Sequence, residues 1–115
     1  MEIQKRIYVL NTLITPIDFS KTNEAVVKLQ KISIEEAKQL LQNNHFISAI
    51  GHESTAKLLS QLLNIDISMN RTVIYFEKGD IGLHFFLKTR IPEGKVLSES
   101  ELKQLDFWLV KSQIL

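Results

Sequence analysis

The sequence predicts a single α+β (α/β) domain: a mixed, mainly five- to six-stranded β-sheet flanked by helices. Three observations predict it. The 115 residues suit one compact unit with a core of its own. Short β-rich runs alternate along the chain with segments of helical period. Between two of those runs, Lys78, Gly79 and Asp80 form a hairpin turn signal, which makes the sheet mixed rather than purely parallel.

Residues 7–10 are a short apolar run and read as a buried strand, ended by Asn11 and barred from continuing by Pro16. From Ala25 to Ile32 the chain alternates, with Val27 and Leu29 on one face and Lys28 and Gln30 on the other, as a half-buried strand does. Ser33 and Glu36 form a capping box, so a helix is expected to run from there to about Gln42, with Ala37, Leu40 and Leu41 inward and Asn43 and Asn44 as the stop. Residues 45–50 read as another short strand. Gly51 to Thr55 make a strand-to-helix turn, and Leu58, Leu59, Leu62 and Leu63 recur at helical spacing beyond it. Arg71 to Glu77 is strongly β in composition and is expected to pair, through the hairpin, with Ile81 to Lys88. Residues 91–95 are a loop by composition. Ser98 and Glu101 form a second capping box opening a helix to about Leu105, and Phe107 to Ile114 is a last strand.

Composition narrows the function. A net charge of +1 argues against a duplex-DNA binder, yet leaves room for a small anionic ligand held by a local cluster. The chain has no cysteine, so disulfides and thiolate metal sites are excluded. No Walker-type loop, His-x-x-x-His pair or nucleophile elbow is present. The start of the chain lacks a signal-peptide core, and no apolar run is long enough to cross a bilayer, so a cytoplasmic location and no membrane partner are expected. Most of the cationic side chains are lysine; Arg6, Arg71 and Arg90 are the arginines, the better bidentate partners for phosphate.

Of the three histidines, His45 and His84 sit in strand contexts that suit packing or an ordinary surface. His52 differs, because it follows Gly51 at the tip of a strand and opens a helix. Helix amides and the helix field favour an anion there, Gly51 permits close approach, and Ser54 and Thr55 add hydroxyls. The same pattern also serves as a plain structural turn. Arg90, Glu93, Gly94 and Lys95 form a second polar cluster, consistent with a lid over an anion or with a solvated turn. The expected hairpin would bring Arg71 and Arg90 to one end of the sheet.

At these residues the sequence resembles the viral ring nucleases, or type III anti-CRISPR ring nucleases, of archaeal viruses, phages and mobile elements. The likeness rests on residues 8–11, on Ala49 to Thr55, on Asn70 and Arg71, and on Arg90 to Leu97, in order across nearly the whole chain. It implies one ring-nuclease domain over residues 1–115. It also implies a metal-independent phosphodiesterase, without cofactor, that cleaves cyclic tetra-adenylate to linear di-adenylates inside the host cell. Type III CRISPR defence would thereby be shut off. By the resemblance, His52 is the catalytic histidine, Arg90 stabilises the phosphate, Glu93 assists, and Asn11 and Arg71 contact the ligand. Gly51, Ser54, Thr55, Gly94 and Lys95 complete the expected binding set, the 88–97 loop closes over the ring, and the active sites lie at a homodimer interface. The family often carries a serine and an asparagine shortly after the Asn11 position, where this chain has Thr12 to Pro16. A non-catalytic module that sequesters a cyclic nucleotide would need the arginines and the helix seat but not His52, and an interaction protein of a mobile element would use its sheet edge or the aromatic Phe107 and Trp108.

Overall fold

Five strands form one mixed sheet in the computed structural model, which describes residues 6–88 and 97–115. The strands are β1 (Ile7–Leu10), β2 (Val27–Lys31), β3 (Ile47–Ser48), β4 (Ile81–Leu87) and β5 (Phe107–Ile114). The helices are α1 (Ile34–Gln42), α2 (Glu53–Leu63) and α3 (Glu99–Lys103). The sheet order is β2-β5-β4-β1-β3. β1 lies between β3 and β4 and is parallel to both, whereas β5 is antiparallel to its neighbours β4 and β2.

The period-2 alternation of β4 divides the core in two. Ile81, Leu83 and Phe85 face the helices, together with Ile7 and Val9 of β1 and with Ala37, Leu41, Leu58, Leu59 and Leu63. Each fully buried leucine of α2 contributes on the order of 1.5–3 kcal/mol. Among the described residues the opposite face has no helix. It is covered over Tyr8, Leu10 and Ile114 by Phe76, with Ile17, Ala25 and Ile74 around it. Phe76 is fully buried and meets Tyr8 edge-on at 5.2 Å.

The local signals at the helix ends work as expected. Ser33 caps α1 through its reciprocal bonds with Glu36, and Ser98 caps α3 through Glu101. Asn43 closes α1. Asn64 closes α2 with φ of 53°, a left-handed conformation that asparagine tolerates better than most residues. Among the described residues no helix is long and apolar enough to cross a membrane.

Three expectations are corrected. Residues 71–77 form no strand of this sheet, and they do not pair with β4. Both hydrogen-bonding edges of β4 are already taken, by β1 on one side and β5 on the other. The 71–77 stretch instead crosses the helix-free face and makes a single bridge, with Phe76 N–H donating to Pro16 O and Asp18 N–H to Phe76 O. The turn at Lys78 and Gly79 is real, with Gly79 at φ +92°, but it hands the chain into the middle of the sheet. Arg6 braces that turn by pairing with both Asp80 and Glu77. The strand expected over 45–50 is only Ile47–Ser48, at the sheet edge. β2, expected to be half-buried, is the other edge, and Leu29 is 59% exposed.

Candidate functional site at the carboxyl edge of the sheet

Because β1, β3 and β4 are parallel, their carboxyl ends open onto the same edge. Asn11 follows β1 there, Gly51 and His52 follow β3, and Lys88 follows β4. The chain places β3 on one flank of β1 and then crosses to place β4 on the other. Such a reversal leaves a crevice at the carboxyl ends of parallel strands, the usual ligand position in open sheets.

The strand-to-helix turn is held from both sides. Ala49 N–H donates to Val9 O at 2.8 Å, which fastens the exit of β3 to β1. Asn70 N–H donates to Ile50 O at 2.9 Å, and the Asn70 side-chain amide donates to Ser48 O at 2.7 Å. Arg71 then donates from Nε and Nη2 to the Gly51 carbonyl, at 3.3 and 3.0 Å. Two of its five N–H groups are thereby used, and the side chain that carries the other three is exposed. Arg71 has no carboxylate partner among the described residues.

His52 is the N-cap of α2 with extended φ and ψ of −129° and 128°. Its imidazole is exposed and makes no capping bond, so the first-turn amides of α2 are left to water or to an anion. Ser54 and Thr55, half-buried, stand in that first turn. The structure thus brings Asn11, Gly51, His52, Ser54, Thr55 and Arg71 to one edge. Arg71 arrives by bonding the Gly51 turn, not by the expected hairpin, so its convergence with Arg90 loses that argument. Arg90, Glu93, Gly94 and Lys95 lie outside the described residues. Among the described residues no group of three or more His, Asp or Glu side chains is placed to hold a metal ion.

One polar cluster was not singled out by its sequence. His84 is fully buried on the helix-free face of β4. Its Nδ1 lies 2.7 Å from Thr12 O and its Nε2 lies 2.8 Å from Ser112 Oγ. A carbonyl can only accept, so Nδ1 carries the proton, and in the neutral ring Nε2 accepts from the Ser112 hydroxyl. Burial pushes the His84 pKa below its ordinary value, partly offset by the Thr12 carbonyl. The available signal was Gly82. A Cβ there would meet Ser112 Oγ in hard contact and lie 2.7 Å from His84 Nε2, and a glycine inside a strand marks such a close approach.

A cleft of about 310 Å³ lined by Gln30, Ile32, Glu36, Gln39, Leu40 and Lys111 lies at the β2 edge, across the sheet from His52. It gathers no convergent set of reactive groups, and the carboxyl edge is the better candidate on chemistry.

Residues 7–109 match the family model described as STIV B116-like. The chain is similar to uncharacterized protein 26 of Sulfolobus islandicus filamentous virus, with 44% identity over 106 residues covering 90% of this chain and 88% of that protein. It is 39% identical to uncharacterized protein ORF117 of Acidianus two-tailed virus, covering 91% and 92%. It is 35% identical to uncharacterized protein YddF of Bacillus subtilis, covering 72% and 79%. The solved structure of B116 of Sulfolobus turreted icosahedral virus shares the fold, with a TM-score of 0.81 at 24% identity over 94% of this chain and 98% of that one.

Proposed function

The chain belongs to the STIV B116-like family, and we propose that it is a metal-independent ring nuclease that cleaves cyclic tetra-adenylate into linear di-adenylates. The observation that carries the reading is the exposed His52 imidazole at the mouth of α2, beside a carbonyl held by the Arg71 guanidinium. Positions expected from the ring-nuclease likeness, Asn11, His52 and Arg71, come from three separate elements and meet at one sheet edge.

The chemistry asks little more. A ribose 2′-hydroxyl attacks the adjacent phosphorus in line, the 5′-oxygen leaves, and a 2′,3′-cyclic phosphate remains. The protein must hold that alignment, stabilise added negative charge, and protonate the leaving oxygen. The first-turn amides of α2 seat the phosphate. The remaining N–H groups of Arg71 add charge-assisted donors. His52 supplies the proton, the part that histidine most often takes in general acid–base catalysis. Arg90 stabilises the developing charge, and Glu93 orients either His52 or the 2′-hydroxyl.

A four-membered ring has approximate two-fold symmetry, which a C2 pair of these sites matches. Exposed apolar residues in and near the Arg71 stretch, Met69, Val73 and Tyr75, suit burial in such a contact. Cleavage of the messenger would silence type III CRISPR defence, which fits the viral origin of the Sulfolobus islandicus filamentous virus and Acidianus two-tailed virus relatives.

The test is incubation of purified protein with labelled cyclic tri-, tetra- and hexa-adenylate in excess EDTA, with products separated by chromatography. Linear di-adenylates with cyclic phosphate ends are expected from the four-membered ring. His52→Ala is expected to slow single-turnover cleavage about 10²–10⁴-fold while the ring still binds. Full activity in that variant would remove His52 from the mechanism. Intact ring that nevertheless raises the melting temperature would favour sequestration, and no thermal shift with any ring would favour an interaction protein.

A further inference from the structure

We propose that His84 is a positioning residue for the carboxyl-edge site, acting through the Thr12 carbonyl to fix Asn11 and the loop that runs to Pro16. Three observations on separate elements support it. First, His84 is fully buried yet reaches out of the sheet to a loop backbone atom, Thr12 O, at 2.7 Å. Among the described residues no other side chain hydrogen-bonds to the 11–15 segment, whose Leu13 and Ile14 are exposed. Second, Ser112, itself fully buried, lies 2.8 Å from Nε2, and its hydroxyl, able to donate, satisfies the nitrogen left bare once the Thr12 carbonyl has fixed the proton on Nδ1. Third, Gly82 lies directly across from Ser112 in the β4–β5 register, and only a missing Cβ leaves room for the His84–Ser112 contact.

The arrangement resembles the outer-shell support found beneath binding sites, where a buried partner sets the orientation of a group that meets the ligand. Ordinary packing does not call for it. An apolar side chain at residue 84 would fill the same space among Phe76, Leu10 and Val110 without a buried polar pair to satisfy. The cost of burying imidazole and hydroxyl is offset only because both find partners, and one partner is the loop. Asn11 is one residue from that anchor, so releasing Thr12 lets Asn11 leave the edge where His52 and Arg71 stand.

The activity arm of this inference rests on the ring-nuclease reading, but the structural arm does not. Asparagine at position 84 places an amide N–H near the Nδ1 position and preserves the bond to Thr12 O. Glutamine instead preserves a partner for Ser112 and gives up the loop. His84→Asn is therefore expected to keep the backbone NMR order parameters of Leu13 to Thr15 near those of wild type, and His84→Gln to lower them toward the flexible range, below about 0.6. If wild type cleaves cyclic tetra-adenylate, His84→Gln is expected to raise KM about five- to tenfold with kcat nearly unchanged, and His84→Asn to restore KM. Equal behaviour of the two variants, or wild-type order parameters kept in His84→Gln, overturns the proposal. Should either variant unfold, nitrogen NMR of histidine-labelled wild type decides. A slowly exchanging proton on Nδ1 of His84 is expected, and an Nε2 proton in the neutral ring overturns the tether. A protein that cleaves no ring sinks the functional reading alone, since the loop order parameters still test the tether.

Discussion

Replacing Gly82 by alanine adds one methyl group to a place where three side chains already meet. The new carbon would contact Ser112 Oγ below any real Cβ separation, lie 2.7 Å from His84 Nε2 and lie 3.1 Å from Phe76 Cζ. None of the three neighbours can swing into solvent, because all are fully buried. Overpacking of this kind costs about 1–3 kcal/mol. Parting His84 from Ser112 leaves buried polar groups unpaired, which costs about 1–3 kcal/mol more. Partial relaxation makes the sum less than additive, so a loss of about 2–4 kcal/mol is expected. With a urea slope of about 1–3 kcal/mol/M for a domain this size, the unfolding midpoint falls by about 1 M or more. The double-variant cycle gives the sharper measurement. Ser112→Ala removes the oxygen that collides, so Gly82→Ala in that background is expected to cost at least about 1 kcal/mol less than in wild type. A Gly82→Ala midpoint within error of wild type, or strict additivity in the cycle, would refute the packing argument.

Stability is also expected to fall with acid through His84. Its native pKa is lowered by burial, so below about pH 6.5 the unfolded chain takes up a proton that the native ring refuses. The slope between about pH 6.5 and the native pKa approaches 1.4 kcal/mol per pH unit, and pH-dependent urea melts of wild type against His84→Asn are expected to show it lost in the variant. Arg71→Ala is expected to lower the melting temperature only slightly, since the side chain is exposed, while weakening cyclic tetra-adenylate binding at least about tenfold in a titration. Unaltered affinity would take Arg71 out of the site. Ser33→Ala removes the α1 cap and is expected to cost about 1 kcal/mol in a denaturant melt, with Ser33→Asp near wild type.

Where a signal is local, the sequence carries it to the residue. The Ser33–Glu36 box starts α1, Asn43 ends it, and β1 and β5 fall where the apolar runs lie. The Gly51–His52 turn and the helix beyond it are legible for the same reason, because each is set by the conformational preferences of a few adjacent residues. Arg71 to Glu77 shows the limit. Its β-branched and aromatic composition favours extended backbone, and extended backbone is what forms, but composition does not say which edge is free to pair. That depends on β5, which takes the edge of β4 that a hairpin would have used.

The amino-acid sequence by itself determined the class of fold, most strand and helix positions, and the residues around His52, because short-range sterics and capping chemistry act within a few residues of the chain. Tertiary structure alone decided the sheet order, the route by which Arg71 reaches Gly51, and the burial of His84 between Thr12 and Ser112, which lie 72 and 28 residues away. Those contacts exist only after the strands have chosen neighbours. That choice follows from burying both faces of one sheet at once, a global condition with no local signature.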